Sequence, residues 1–237
     1  MILQLNERFI EVIYMNFKTP IEMPRGIYYG NNYYVVYSSK IKRVCHFYSN
    51  LEYYNFLSLE INPEVESFCE QPLKIEMVQE NEIKYAIFDM WVKYKDGSEE
   101  LQEVKYDAEL NGNDAKSIRS QEQIRREEQW CQLNSIDFVI RTDKNIPQGR
   151  FFLNNANVIS SRLRRYIPTE DKYYNPRIIN ALQHYKIITI ENLIDKDLLP
   201  VNNEINHLCY MYEKGLVHMN IDSRPLDYKT EVSLWQN

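Results

Sequence analysis

Residues 83–106 form a strand–turn–strand pattern, which constrains the fold of this chain more than any other segment. Asp96 and Gly97 favour a tight hairpin turn, so we predict one strand over 83–94 and a second over 101–106. The first strand is almost continuously apolar except at Asp89. A buried carboxylate in such a run costs free energy unless it has a partner or a metal ion. We therefore expect Asp89 to be a partnered carboxylate inside a hairpin.

Two charged residues of the second strand are predicted to share one face of the hairpin. Side chains alternate along a strand, so Glu103 and Lys105 point one way and Val104 the other. With Asp89 opposite, the two carboxylates can hold a hard divalent cation. The lysine can position or deprotonate a water molecule, or stabilise phosphate charge, as in metal-dependent phosphodiester cleavage. The alternative is that Glu103 and Lys105 only form the solvated face of a strand.

Glu52 has a structural explanation of its own. Ser49 and Glu52 have the spacing of a capping box, in which the serine binds the amide at the third helical position and the glutamate binds the serine amide. The helix that begins here is predicted to run to about residue 60, where Asn62 and Pro63 follow it. On local grounds alone, Glu52 is a helix cap.

The order of predicted elements indicates an α/β sandwich around a mixed sheet. The remaining elements of this first part are helices expected at 6–16 and 114–133 and strands expected at 35–37, 42–48 and 136–140, with a further strand over 65–72 that continues through 73–78. In the long helix, Ile118, Ile124, Trp130 and Leu133 form an irregular apolar stripe. Residues 79–82 are predicted to turn the chain into the central hairpin.

A second domain is predicted after residues 147–149, so that domain one spans 1–148 and domain two spans 149–237. Its expected elements are helices at 151–165, 175–186, 190–196 and 201–214 and strands at 216–221 and 230–235. Helices followed by a two-stranded ribbon are typical of a winged helix, whose third helix normally enters the major groove. Here that helix has no Arg or Lys before Lys214. The pattern therefore weakens the hypothesis that this domain reads DNA bases directly. The hypothesis that the domain docks on a protein is at least as well supported.

Charge and composition limit the class of protein. The net charge is −6, but residues 49–110 carry 15 acidic and 5 basic residues, whereas residues 115–190 carry 13 basic and 7 acidic residues. This division suits an enzyme that holds cations and binds phosphates, although ordinary surface variation explains it too. The chain has no Gly-rich phosphate loop, no spaced histidine ligands and no nucleophile-elbow motif.

The four cysteines are scattered and form no C-x-x-C pair, which speaks against a zinc site or a disulfide framework. The first residues have no basic region followed by an apolar one, so we expect no signal peptide, and no apolar run is long enough for a membrane span. We therefore predict a cytoplasmic protein with no membrane association.

The ordered set of motifs resembles the endonuclease subunit TnsA of heteromeric bacterial cut-and-paste transposases. The motifs that carry the resemblance are Ser38-Ser39-Lys40 followed by Glu52, residues 65–72, Asp89, Glu103-Val104-Lys105 and residues 138–146. Two departures are Phe88, where proline is frequent, and Glu103, where some members carry glutamine. The resemblance implies a restriction-endonuclease-like core of the PD-(D/E)xK type with a C-terminal winged-helix-like domain.

The resemblance also implies a site and partners. Glu52, Asp89, Glu103 and Val104 would hold Mg²⁺, with Mn²⁺ as a substitute, and Lys105 would stand near the attacking water. The expected reaction is one-step hydrolysis of the 5′-end strands at the transposon ends in double-stranded DNA. A DDE-type transposase subunit would process the 3′ ends, and an AAA+ regulator would dock on the C-terminal domain. The active protein would be associated with the bacterial nucleoid. The rival hypotheses are a stand-alone nuclease of the same type and a non-catalytic DNA-binding or scaffold protein.

Overall fold

The computed structural model describes residues 17–23, 32–79, 82–168 and 171–236. The predicted helix over 6–16 lies outside these residues, as does part of the predicted turn over 79–82. The strands before the long helix, and the one after it, are β1 Tyr34–Ser38, β2 Arg43–Phe47, β3 Val65–Glu70, β4 Lys74–Gln79, β5 Glu82–Ile87, β6 Met90–Tyr94, β7 Glu99–Val104 and β8 Asp137–Arg141. The helices among them are α1 Asn50–Ile61, α2 Asp107–Asn111 and α3 Ala115–Asn134.

A four-stranded mixed sheet with the order β3-β6-β7-β8 forms the centre. β7 and β8 run parallel, while β6 is antiparallel to both β3 and β7. Tyr94 and Ser98 close the β6–β7 hairpin by a backbone hydrogen bond of 2.9 Å, and Gly97 adopts a φ of 91° that glycine tolerates best. The mixed sheet and the tight turn predicted from the sequence are confirmed.

Helices cover both faces of this sheet because the central strand β6 is apolar on both sides. Met90 and Val92 pack in a core that includes Phe56 of α1. Trp91 points the other way and packs in a second core that includes Cys131 of α3. This alternation is the packing that an α/β sandwich requires.

The predicted continuous strand over 83–94 is wrong, because the chain breaks it at Phe88 and Asp89. β5 pairs only with β4 in a separate two-stranded sheet, while β6 belongs to the central sheet. At the break, the Phe88 amide donates to the Leu73 carbonyl at 3.2 Å, and the Asp89 amide donates to the Gln102 carbonyl at 3.1 Å. The backbone therefore changes partners within two residues, which moves Asp89 from inside a strand to a junction. The predicted continuation of the strand over 65–72 through 73–78 is also wrong, because β3 belongs to the central sheet and β4 to the two-stranded sheet.

The C-terminal residues form four helices and a three-stranded antiparallel sheet within the part of the chain that the structure describes. These elements are α4 Arg150–Leu163, α5 Asp171–Tyr185, β9 Ile187–Thr189, α6 Ile190–Asp195, α7 Glu204–Glu213, β10 Val217–Met219 and β11 Glu231–Leu234. The sheet has the order β10-β11-β9. The predicted helices and the two late strands are present, but the short strand β9 was not predicted. Assignment to the winged-helix class stays a prediction.

The apolar core continues from the first part of the chain into the second. Phe47 and Phe56 belong to the same cluster as Ala156 of α4 and Leu208 of α7. The ammonium of Lys40 is nearly buried and donates to the carbonyls of residues 62 and 65 and to the Glu213 carboxylate at 3.2 Å. The predicted domain boundary after residue 148 stays a prediction, and the segments on either side of it share these contacts.

The four cysteines are buried and unpaired. Of the helices within the described residues, none combines the length and apolar character needed to cross a lipid bilayer.

Removing the arginine of a buried ion pair beside the central sheet should destabilise the protein strongly. Arg43 donates two hydrogen bonds of 2.6 Å to the two carboxylate oxygens of Glu70, whose side chain is only 1% exposed. Arg43→Ala would leave that carboxylate buried without its cation, so we expect the free energy of unfolding to fall by about 3 kcal/mol. Urea denaturation measures this change.

The matched control is Lys93→Ala, which removes a more exposed pair with Glu66 that spans 3.6 Å. It should change the free energy of unfolding by less than about 1 kcal/mol. Equal losses in the two variants would contradict the importance assigned to the Arg43–Glu70 pair.

Candidate active site

A cleft of about 600 Å³ lies where the start of α1, the β5–β6 junction, the end of β7 and the helix α3 meet. Glu52, Asp89, Glu103 and Lys105, the four predicted catalytic residues, all line it, together with Val104. The structure thus brings together side chains that lie up to 53 positions apart in the sequence.

Asp89 is held rigidly at the junction between the two sheets. Its amide and its carbonyl are both used in hydrogen bonds, to Gln102 and from Gln71 respectively. Its Oδ2 atom accepts a hydrogen bond of 2.7 Å from the Val104 amide on β7. These three bonds orient the Asp89 carboxylate toward the end of β7, where Glu103 and Lys105 follow.

Glu103 and Lys105 face the same side of the hairpin, as the alternation predicts. Glu103 is fully buried, and its Oε1 atom contacts the ammonium of Lys105. Lys105 lies one residue beyond β7, where its amide donates to the Arg141 carbonyl at 3.0 Å and keeps the chain extended. The Val104 side chain packs with Leu51 in an apolar cluster. Because this side chain has no donor atom, only main-chain atoms of Val104 can serve as metal ligands.

Glu52 begins α1 with a capping arrangement that differs in one bond from the prediction. Ser49 accepts a hydrogen bond of 3.1 Å from the Glu52 amide, as expected. The Glu52 carboxylate, however, accepts from the Tyr48 amide at 3.0 Å rather than from the Ser49 amide. Reaching one residue further back keeps the carboxylate at the helix N-terminus and on the wall of the cleft.

Two residues of α3, Gln123 and Glu127, are linked to the carboxylates of the hairpin, and neither was predicted from the sequence. The side-chain amide of Gln123 donates to Glu103 Oε1 at 2.8 Å and to Glu127 Oε1 at 2.9 Å. Glu127 is fully buried. A carboxylate on the inner face of a helix is thus linked through one amide group to the carboxylates of the hairpin.

The sequence did contain a signal that Glu127 is buried, namely its spacing from the apolar residues of α3. The residues of α3 that are buried recur at intervals of three and four, namely Ser117, Ser120, Ile124, Glu127 and Cys131. The predicted stripe is therefore partly wrong, because Ile118 is 47% exposed and Leu133 is 74% exposed. Placing the helix face on Ile124 and Cys131 alone would have turned Glu127 inward.

The four buried carboxyl groups of the site all have raised pKa values, because burial disfavours their ionised form. Burial raises the pKa of Glu52 to about 7, and the negative charge of Asp89 adds to the rise. Burial likewise raises the pKa of Asp89. The pKa of Glu103 lies well above its usual range, mainly because Glu103 is buried and also because Asp89 and Glu127 repel its negative charge. The pKa of Glu127 rises to about 8 for the same main reason.

Lys105 stays charged in this surrounding. Burial lowers the pKa of Lys105, but the attraction of Glu103 and Asp89 outweighs burial and raises the pKa above the usual value for lysine. Of the roles considered from the sequence, deprotonating a water is therefore disfavoured. Positioning a water and stabilising negative charge both suit a permanent ammonium group.

The donor atoms suit a hard divalent cation. Oε2 of Glu103 and Oε2 of Glu127 are buried and accept no hydrogen bond from the described residues. Oxygen donors of several buried carboxylates are the ligands that Mg²⁺ prefers, and a cation would offset their mutual repulsion. Among the described residues, no three His, Cys, Asp or Glu side chains already lie as a metal-ligand cluster. Lys105, Gln123 and the Val104 amide instead occupy some of the carboxylate oxygens.

The β4–β5 hairpin forms one wall of the cleft and presents an aromatic side chain there. Tyr85 is 50% exposed and lines the cleft together with Ile87. The Lys74 ammonium lies 3.9 Å from the centre of the Tyr85 ring, which holds the ring and the cation together. Lys116 of α3 also lines the cleft and contributes a further cation.

Glu127→Gln should reduce the loss of stability at alkaline pH when divalent ions are chelated. The folded protein keeps a proton on Glu127 up to about pH 8, whereas the unfolded chain releases it near pH 4.5. The unfolded state thus binds fewer protons in this window, so the free energy of unfolding of the wild type falls as pH rises. Urea denaturation in EDTA at about pH 5 and about pH 8 should show a smaller fall for Glu127→Gln.

Glu128→Gln is the matched control, because Glu128 is the exposed neighbour on the same helix. It should follow the wild-type pH dependence. A Glu127→Gln curve parallel to the wild-type curve would show that Glu127 is not the group that titrates.

Comparison with known proteins places this geometry in a family context. Residues 62–143 match the family model of the TnsA-like endonuclease N-terminal domain. No curated protein matches the sequence significantly. The matched segment contains Asp89, Glu103, Lys105 and Glu127, while Glu52 precedes it. Over residues 62–143 the chain is therefore similar to the N-terminal domain of TnsA-like endonucleases, which confirms the resemblance found in its sequence motifs.

Proposed function

We propose that this protein is the metal-dependent DNA endonuclease subunit of a heteromeric transposase and hydrolyses the 5′-end strands at the transposon ends. The observation that carries the proposal is the convergence of Glu52, Asp89, Glu103 and Lys105 on one cleft, mostly within a TnsA-like segment. Buried carboxylates with raised pKa values beside a charged lysine are typical of functional sites. They are costly to keep for structure alone.

Mg²⁺, or Mn²⁺ in its place, would be held by Glu52, Asp89, Glu103 and a main-chain atom of Val104. When bound, such a cation lowers the pKa of water and stabilises the negative charge that develops on a phosphoryl group. The proposal is supported by the buried, unpartnered Oε2 of Glu103 and by the Val104 amide, which fixes the orientation of Asp89. Asp89 is thus oriented by the backbone before any ligand binds.

Lys105 would act as a fixed positive charge next to the scissile phosphate. Its side chain is 17% exposed, so it borders the cleft while it remains largely shielded from solvent. An ammonium in such a place stabilises negative charge in the transition state more strongly than it would in water. Gln123 and Glu127 would hold Glu103 in place through the amide bridge.

The proposed partners are inferred from the similarity to TnsA-like endonucleases and not from the geometry of the cleft. We propose that double-stranded DNA is the substrate, that a DDE-type transposase subunit cuts the opposite strands, and that an AAA+ regulator docks on the C-terminal residues. A cytoplasmic, nucleoid-associated location goes with this role. The helix α7, which was predicted to occupy the place of a recognition helix, buries His207, Leu208, Cys209 and Met211. Such a helix offers few side chains for reading bases.

Nicking of a plasmid that carries mini-transposon ends tests this function, with and without the co-encoded transposase and in Mg²⁺, Mn²⁺ or EDTA. We expect cuts at the 5′ ends that need both the partner and a divalent ion. Asp89→Ala and Lys105→Ala should each lower the rate at least about a hundredfold, because both remove charge that acts on the transition state. Asp137→Ala, which replaces an exposed carboxylate on β8, is the control and should cut normally.

Two other outcomes separate the rival functions. Efficient cutting by the protein alone at unrelated sites would indicate a stand-alone nuclease of the same type. The absence of cutting under every condition, with folded protein and unchanged DNA binding in the variants, would indicate a non-catalytic scaffold.

A further inference from the structure

A second polar cavity lies in the C-terminal half of the chain, apart from the catalytic cleft. Residues 147–169 include the four arginines Arg150, Arg162, Arg164 and Arg165 and no aspartate or glutamate. The chain as a whole carries a net charge of −6. Positive charge is therefore concentrated on α4 and the residues directly after it, and the next acidic residues are Glu170 and Asp171.

The cavity lies between α4 and α7 and has a volume of about 280 Å³. Its wall is formed by Val158, Ser161, Arg162, Arg165 and Asn206. Two guanidinium groups, one hydroxyl and one side-chain amide thus surround it, and no carboxylate lines it. Such a set of hydrogen-bond donors is suited to an anion with several oxygen acceptors.

The two arginines differ in how firmly the fold holds them. Arg162 is half-buried and donates a hydrogen bond of 2.9 Å to Asn206, which fixes its guanidinium while leaving other N–H groups to bind a ligand. Arg165 is exposed and forms no ion pair within the part of the chain that the structure describes. One donor is thus pre-oriented and the other is available.

Phosphodiester groups fit this cavity, because a planar guanidinium binds two phosphate oxygens at once. The cavity is also connected to the catalytic cleft through packed helices. Tyr53, next to Glu52 on α1, donates a hydrogen bond to Asn157 on α4, and Asn157 precedes Val158 of the cavity wall. The helix α1, which places Glu52 on the wall of the cleft, thus packs directly against α4.

We propose that Arg162 and Arg165 bind backbone phosphates of the DNA duplex whose strand enters the catalytic cleft. This proposal rests on the proposed function and assigns the DNA contact of the C-terminal residues to α4 rather than to α7. The contact is independent of base sequence, since it reaches phosphates only. It explains how C-terminal residues that offer no basic recognition helix still engage DNA.

The salt dependence of DNA binding tests the proposal, because each phosphate that the protein neutralises makes the plot of log K against log salt steeper by a defined amount. Fluorescence anisotropy of a short labelled duplex in EDTA gives the binding constant between about 50 and 200 mM NaCl. Relative to the wild type, the slope of log K against log salt should become shallower by about 1 in Arg165→Gln and by about 2 in Arg162→Gln/Arg165→Gln. Arg165→Lys should retain most of the slope, because the charge remains.

The control is Lys196→Gln/Lys229→Gln, which removes the same charge from two exposed lysines outside the cavity. It should leave the slope unchanged. Arg165→Gln breaks no hydrogen bond to Asn206, so its result stands even if the double variant is destabilised. Wild-type melting temperatures in the variants confirm the fold.

A wild-type slope in Arg165→Gln and in the double variant would overturn the proposal, as would a wild-type protein that does not bind the duplex. Unchanged DNA slopes with loss of binding to the AAA+ regulator would assign the cavity to a protein partner instead and also overturn it. The proposed function fails separately, if Asp89→Ala nicks transposon ends as fast as the wild type.

Discussion

The hydrogen bonds that hold Asp89 at the junction of two sheets determine the geometry of the whole site. The Asp89 amide and carbonyl bind Gln102 and Gln71, and its carboxylate accepts from the Val104 amide. Because these bonds tie the end of β5 to the end of β7, the positions of Glu103 and Lys105 relative to Asp89 are set by the backbone. A site built on backbone pairing in this way is pre-organised, and its side chains lose little freedom when a ligand binds.

This arrangement concentrates carboxyl groups in a buried place, where their ionisation is unfavourable. Glu52, Asp89, Glu103 and Glu127 all have raised pKa values, and Lys105 is the ammonium that pairs with Glu103 at the centre of the group. A fold gains no stability from such a cluster, since burying like charges costs free energy. The cluster is most readily understood as a site that is completed by a cation and a phosphate, with stability supplied by the apolar cores on both faces of the sheet.

The sequence revealed the parts of the site that depend on local rules and missed those that depend on tertiary contacts. Period-two alternation was enough to put Glu103 and Lys105 on one face. The break at Asp89 was not predictable, because an almost continuous apolar run has the same pattern in one long strand and in two short ones. Glu127 was missed because the predicted apolar face of α3 included Leu133, which is exposed in the structure. Strand β9 is three residues long and exists only because β11 pairs with it.

The central claim is that the buried carboxylates around Asp89 form a divalent-cation site, and calorimetric titration with Mn²⁺ and Mg²⁺ tests it most directly. The account predicts saturable binding to the wild type and to Asp137→Ala, and its loss in Asp89→Ala, with all three proteins folded. The reason is that Asp89 is the carboxylate that the backbone holds in place. Indistinguishable titrations of the wild type and Asp89→Ala would contradict the claim.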